Sequence, residues 1–207
     1  MSKKLIFSFE GIEGSGKSLH LKNVAAFLKK NKLPFVKLRE PGGSKNSEKI
    51  RKLILNNKST FNKKTDLFLY FAARNENVEN VINKNYKKKV ILIDRFIDST
   101  VAYQHYGMNL DKKIIQIVNN YILKKIKIDF TFLHVVNEKN LKLRLSKRKT
   151  LNRYDKFSFK FYKKVQNGFI KQSKTNSRKY LLINSNKKIN ENKKIIISKI
   201  QKILKNK

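Results

Sequence analysis

The stretch Gly11-Ile12-Glu13-Gly14-Ser15-Gly16-Lys17-Ser18 constrains this chain more than any other. Its glycines let the backbone close into a loop whose successive N–H groups point inward at anionic oxygens. Leu5 to Phe9 leads in as an apolar strand. Lys17 to Lys30 leads out as a helix with Leu21, Val24, Ala25 and Leu28 on one face. A chance match in a tight turn would lack both flanks. The spacing G-x-x-x-x-G-K-[ST] is that of a nucleotide phosphate loop. All eight residues are therefore candidate ATP contacts. Lys17 is expected to reach the β- and γ-phosphates, and Ser18 to bind Mg²⁺. The helix N-terminus adds its positive dipole end. Glu13 is the oddity, a carboxylate in the middle of an anion-binding loop.

The rest of the chain continues the strand–helix alternation. Strands are expected at Phe35 to Leu38, Val90 to Ile93, Phe130 to Val136 and Tyr180 to Ile183. Helices are expected at Ser47 to Leu55, Asp66 to Lys84, Ser99 to His105, Asp111 to Lys125, Lys139 to Arg148, Phe159 to Ser177 and Lys193 to Lys205. The Asn- and Lys-rich segment Ser185 to Lys194 reads as a surface loop. Strands apolar on both faces, alternating with helices, imply an α/β fold with a parallel five-stranded sheet covered by helices. Ligands then bind at the carboxyl ends of the strands. With 207 residues, no repeat and no Pro- or Ser-rich linker, residues 1–207 read as one domain.

Charge is the extreme property: +36, from 42 lysines and 8 arginines against 14 acids. Clustered cations suit nucleic acid. Here the bias is spread along the whole chain and shared with 24 asparagines and 22 isoleucines. These three residues have AT-rich codons, so compositional drift is the favoured reading. Salt-sensitive, unspecific sticking to nucleic acid is still expected. Against this background an arginine marks a place that needs the planar fork. Arg39, Arg74, Arg95 and Arg153 all fall in motifs. The chain has no cysteine, which fits a reducing cytoplasm. No apolar run approaches a membrane span. The basic, then apolar start MSKKLIFSFE is too short in its apolar part for a signal peptide and runs into the glycine loop.

A second element fits the first. Val90-Ile91-Leu92-Ile93 ends in Asp94-Arg95. A carboxylate at the end of a buried strand beside a phosphate loop is placed to hold Mg²⁺, directly or through water. Arg95 could bind a second phosphate group bidentately. Alone, Asp94 would read as a helix cap.

Three further blocks, "REPGGS" (39–44), "LFLYFAAR" (67–74) and "DRFIDSTVAYQ" (94–104), join "EGIEGSGKS" in order and spacing. Together they resemble the bacterial thymidylate kinases, P-loop nucleoside monophosphate kinases that transfer the γ-phosphate of ATP to dTMP. The resemblance runs from about Phe7 to Phe169. It implies Mg²⁺ as cofactor, ATP and dTMP as substrates, a role in dTTP synthesis, and a homodimer. It also implies that Glu13 faces the acceptor sugar near its 3′-hydroxyl instead of the ATP phosphates. By the same resemblance Tyr70 stacks on thymine, with Phe71 as the alternative, and Arg74 hydrogen-bonds the base. Arg95 holds the acceptor phosphate, with Arg39 and Glu40 in the loop that lines it and Gly42 and Gly43 letting that loop approach. Thr100 and Gln104 lie near the base, and Tyr103 packs beneath the deoxyribose. Asp98 receives no role and reads as a helix cap. Lys17, Arg95, Arg153 and Asp94 are the candidate catalytic residues; Ser18 and Asp94 are the candidate metal ligands.

Residues 144–157 occupy the place of the family's mobile lid, which supplies a cation that the phosphate loop lacks. Arg148, Lys149 and Arg153 are available there, and Arg153 is the best match for closing over the transferring group. Several positions depart from the family pattern. Asn152 and Asp155 stand for Asp and Glu in the lid, Gln166 for an arginine after it, and His134-Val135 where an acid usually ends the fourth strand. Two rival readings stay open: a deoxynucleoside kinase, which needs a carboxylate base, and a basic nucleic-acid-binding protein on a vestigial kinase fold.

Overall fold

The computed structural model describes residues 5–206; the basic start Met1 to Lys4 lies outside them. Strand β1, Ile6–Gly11, is central, and β3 (Val90–Asp94) and β4 (Phe130–Val135) pair with it on either side. β2 (Phe35–Arg39) and β5 (Tyr180–Asn184) form the edges, giving the all-parallel order β2-β3-β1-β4-β5. The three inner strands are buried along nearly their whole length, as strands covered on both faces must be. The edge strands are partly exposed.

One face is covered by α1 (Lys17–Lys30) and α9 (Ile189–Lys205), which bury Phe7, Phe9, Leu92, Phe130 and Phe132. On the other face Ile6, Ile91 and Ile93 pack against α3 (Lys63–Asn77) and α6 (Lys112–Leu123). A third cluster joins Ile12, Ala102, Tyr103 and Leu133 to α8 (Phe159–Thr175). The remaining helices are α2 (Lys45–Leu55), α4 (Asn83–Asn85), α5 (Ile97–Thr100) and α7 (Glu138–Ser146).

Most of these elements lie within a few residues of the hydrophobic pattern, and the departures have local causes. α3 starts at Lys63, not Asp66, because the Asn62 side chain accepts from the Lys64 and Thr65 N–H groups. It continues through a π turn, Val78–Ile82, into α4. The helix expected at Ser99 to His105 is α5 followed by a π turn, Val101–Gly107. The loop expected at Ser185 to Lys194 is corrected: α9 already begins at Ile189. Asn192 is buried there and donates to the Asn184 carbonyl at 2.9 Å, so a polar residue holds the first turn down.

Register brings the motif residues to one edge. Phe9 and Arg39 both align with Asp94, and Gly11 with His134, at the carboxyl end of the sheet. That edge opens into a cleft of about 680 Å³.

Candidate active site

The phosphate loop leaves β1 through Gly11 at φ 138°, a conformation reserved for glycine. A Cβ there would sit 2.4 Å from the His134 carbonyl oxygen. Lys17 is buried behind the loop and donates to the Ile12 carbonyl at 2.7 Å and to Ser15 Oγ at 3.3 Å. Burial, then the nearby Arg95 cation, lowers its pKa to about 7; Asp94, Glu13 and Glu10 oppose the shift. The Ser18 hydroxyl donates to Asp94 Oδ2. The carboxylate therefore faces the phosphate loop instead of capping a helix. A hydroxyl and a carboxylate side by side are hard oxygen donors of the kind Mg²⁺ takes beside nucleotide phosphates.

Glu13 points away from this corner. One carboxylate oxygen accepts from Arg95 Nη2 at 2.9 Å and the other from the Tyr103 hydroxyl. Arg95 Nη1 donates to the Gly11 carbonyl at 2.8 Å, and its guanidinium lies 5.2 Å from the Tyr103 ring centre. The charge that looked misplaced in the loop is thus compensated by an arginine from the neighbouring strand. Arg95 itself sits at φ 66°, a left-handed conformation that costs a non-glycine residue roughly 1–3 kcal/mol.

Deeper in the cleft, Arg74 is among the most buried side chains of the molecule. Its Nε donates to Glu40 Oε2 at 2.8 Å, Nη1 to Asn119 Oδ1 at 2.6 Å and Nη2 to Thr100 Oγ1 at 2.9 Å. Glu40, expected in the loop lining the acceptor phosphate, lines the cleft and is at the same time buried against Arg74. Its carboxyl pKa is raised by that burial, with Arg74 working against the rise. Tyr70 and Phe71 divide their tasks: Tyr70 lines the cleft while Phe71 packs in the core. Thr100, Tyr103 and Gln104 line the same space. Arg39 also reaches it, held by Glu48 at 3.0–3.2 Å.

The family model for thymidylate kinase matches residues 9–196. The chain belongs to the thymidylate kinase family. The thymidylate kinase of Acholeplasma laidlawii is 36% identical over 204 residues, covering 97% of this chain and all of that protein. That of Thermosipho africanus is 35% identical over 179 residues, 86% of this chain and 89% of the relative. The crystal structure of thymidylate kinase from Ehrlichia chaffeensis superposes with a TM-score of 0.78 at 28% identity, covering 97% and 99% of the two chains. The five-stranded parallel sheet is accordingly the P-loop nucleoside monophosphate kinase fold of this family.

The lid departs from the expectation drawn from the thymidylate kinase pattern. Arg153 does not line the cleft. Its Nη2 binds both oxygens of Asp66 at 2.7 Å, which ties the short 3₁₀ segment Arg153–Lys156 to the first turn of α3. Asp66 is buried and pairs with Arg153. Arg148, paired with Asp155, is the lid arginine that lines the cleft, together with Asn152 and Tyr154. The family departures have local partners. Asn152 and Asp155 form a reciprocal capping box. Gln166 exchanges two 3.0 Å hydrogen bonds with the backbone of Val136. His134 stacks on His20 with ring centres 5.4 Å apart, and burial pushes its pKa down to about 3, so it stays neutral.

Arg51 lines the cleft, on α2, and donates to the Pro41 carbonyl. No sequence block pointed to it, although the scarcity of arginine in this chain is a signal that includes it. Asn119 was also missed, with nothing in its sequence neighbourhood to mark it; Glu10 opens the block EGIEGSGKS but was given no role. Asp98 is no cap. Its carboxylate accepts from the Tyr180 hydroxyl at 2.9 Å, and burial, then Glu10, raises its pKa to about 7.

Proposed function

We propose that the chain transfers the γ-phosphoryl group of ATP to the phosphate of dTMP, giving dTDP and ADP. One observation supports this above the others. A single cleft is lined both by Lys17, Ser18 and Asp94 and by Tyr70, Arg74, Thr100 and Gln104, and Glu13, Arg95 and Tyr103 are linked to one another in it. A phosphate donor and a nucleotide acceptor can therefore meet there.

In this reading Gly11 to Ser18 cradle the ATP phosphates and Lys17 neutralises them. Ser18 and Asp94 would hold Mg²⁺, which supplies charge neutralisation on the phosphates when bound. Arg95 takes the dTMP phosphate, assisted by Arg39, and Glu13 takes the sugar hydroxyl. Tyr70 and Arg74 take the base, with Thr100 and Gln104 beside it. The acceptor oxygen is already anionic near neutral pH. It attacks the γ-phosphorus as the bond to the β–γ bridging oxygen breaks, and no general base is required. Arg148, which lines the cleft, is assigned the lid cation's part in place of Arg153.

The same proposal includes one domain over residues 1–207, a cytoplasmic setting and a homodimer. α3 and α6 pack together and leave Phe68, Ile114, Ile117 and Tyr121 exposed. An apolar surface of this kind suits burial against a second copy. Among the described residues no helix is long and apolar enough to cross a membrane.

The deciding assay is ADP release from ATP and Mg²⁺ in moderate salt with dTMP, dUMP, thymidine, dCMP or dGMP. Turnover with dTMP and little with thymidine is expected. Discrimination against dUMP rests on one methyl group, about 1–3 kcal/mol. Thymidine used as well as dTMP, or a Lys17→Ala protein with full activity, sinks the proposal.

A further inference from the structure

Glu10 stands one residue before the phosphate loop, at the end of β1, and is completely buried. Burial raises its pKa, and three converging hydrogen bonds together with the Arg95 cation work against the rise. Oε1 accepts from the backbone N–H of Phe96 at 2.7 Å and from Ser8 Oγ at 3.1 Å, and Oε2 accepts from Ser99 Oγ at 2.6 Å. Two of these three donors follow Arg95 closely, Phe96 in the turn that carries it and Ser99 in α5 just beyond. That turn is unusual: Arg95 adopts φ 66°, and Phe96 follows at φ −147° and ψ −138° before α5 begins. A left-handed arginine persists only where its surroundings over-determine it.

The contacts around Arg95 show what does so. Its own N–H donates to the Phe9 carbonyl at 3.1 Å, and the next N–H, that of Phe96, goes to Glu10. The peptide after Arg95 is thereby gripped by the strand beside it. Ser99 completes the arrangement, giving its hydroxyl proton to Glu10 while accepting weakly from Arg95 Nη1 at 3.4 Å. Held in this way, the guanidinium leaves the sheet edge and reaches Glu13 and the Gly11 carbonyl. An arginine in ordinary extended or helical backbone at this position would aim its side chain elsewhere.

We infer that Glu10 is a positioning residue for the acceptor phosphate: it fixes the strained Arg95 turn so that the guanidinium is presented to the dTMP phosphate. This rests on the assignment of Arg95 to the acceptor given above. Glu10 does not line the cleft proposed to hold the substrates, and its oxygens accept from Phe96, Ser8 and Ser99.

The test is a double-mutant cycle on the full chain with Glu10→Gln, Arg95→Ala and the combination. KM for dTMP, KM for ATP and kcat are measured for each. Glu10→Gln is nearly isosteric, keeps an acceptor for Phe96 N–H and loses the charge. It is expected to raise KM for dTMP about tenfold while KM for ATP moves less than about twofold. In the Arg95→Ala background the same substitution should add less than about twofold, because the group it positions is gone. Equal effects on both substrates, or a full effect that persists without Arg95, would overturn the inference. Should Glu10→Gln fail to fold, Ser99→Ala decides. That variant removes the Oε2 donor and should shift KM for dTMP alone; no selective shift counts against the positioning role. Arg95→Ala with an unchanged KM for dTMP would instead refute the assignment of Arg95, which separates the two failures.

Discussion

Replacing Arg74 by Met removes the cation from the most enclosed ion pair among the described residues. Arg74 and Glu40 approach to 2.7 Å with side chains 1% and 5% exposed. The substitution leaves a buried carboxylate without its counter-charge and strips Thr100 and Asn119 of a donor. Breaking a buried pair from one side typically costs about 3–5 kcal/mol, mostly through the stranded charge. In a chain of this size each kcal/mol corresponds to about 2–4 °C, so Tm should fall by roughly 6–20 °C. Scanning fluorimetry or calorimetry on purified protein reads this directly. The stranded charge makes two further demands. Arg74→Met/Glu40→Gln should recover more than half of the loss, since the carboxylate is gone. The single variant's deficit should also depend on pH. Burial already raises the Glu40 pKa above its unfolded value, and loss of Arg74 raises it further. The folded state then binds the proton more tightly than the unfolded state, so the deficit shrinks as pH falls from about 8 toward about 5. A double variant no more stable than Arg74→Met, or a deficit that deepens in acid, would refute the reasoning.

Three other outcomes follow from the same geometry. Lys17, with its pKa lowered to about 7, loses charge as pH rises through that value. ATP phosphates would restore the proton, so binding near pH 8 should take up protons, visible as a dependence of calorimetric heat on buffer ionisation enthalpy; no uptake contradicts it. Arg148→Ala should lower kcat by at least about tenfold, whereas Arg153→Ala should chiefly loosen the lid and leave kcat within a few-fold; the reverse order in steady-state kinetics would reinstate Arg153 as the lid's catalytic cation. Gly11→Ala should cost at least about 1–3 kcal/mol in denaturant unfolding and abolish ATP binding, because φ 138° and the 2.4 Å approach to His134 exclude a Cβ; a stable, ATP-binding variant would be contrary evidence.

Much of the site was legible from local pattern because its chemistry is local. The phosphate loop is a contiguous run, and the strand before it and helix after it are apolar at periods that short-range sterics enforce. Tyr70 and Arg74 could be paired because four residues make one helical turn. Legibility failed where a residue acts through a partner far away in the chain. Arg153 looked free among lid cations, but Asp66, 87 residues away, takes it. Glu40 was read only as part of the loop lining the acceptor phosphate; its pairing with Arg74, 34 residues away, shows only in the fold. The start of α9 was missed because asparagine and lysine read as loop, and only the Asn184 carbonyl shows why Asn192 is buried there.

The sequence alone determined the phosphate loop, the parallel strand–helix alternation and the set of motif residues. These depend on backbone freedom at glycine and on the burial of apolar periods, both encoded in neighbouring residues. Only the tertiary structure decided how the charges are shared. Glu13 is compensated by Arg95, Glu40 by Arg74 and Asp66 by Arg153, and Glu10 is gripped by the turn after β3. A buried charge must find its partner within a few ångströms, and which partner lies that close is a property of strand order and register.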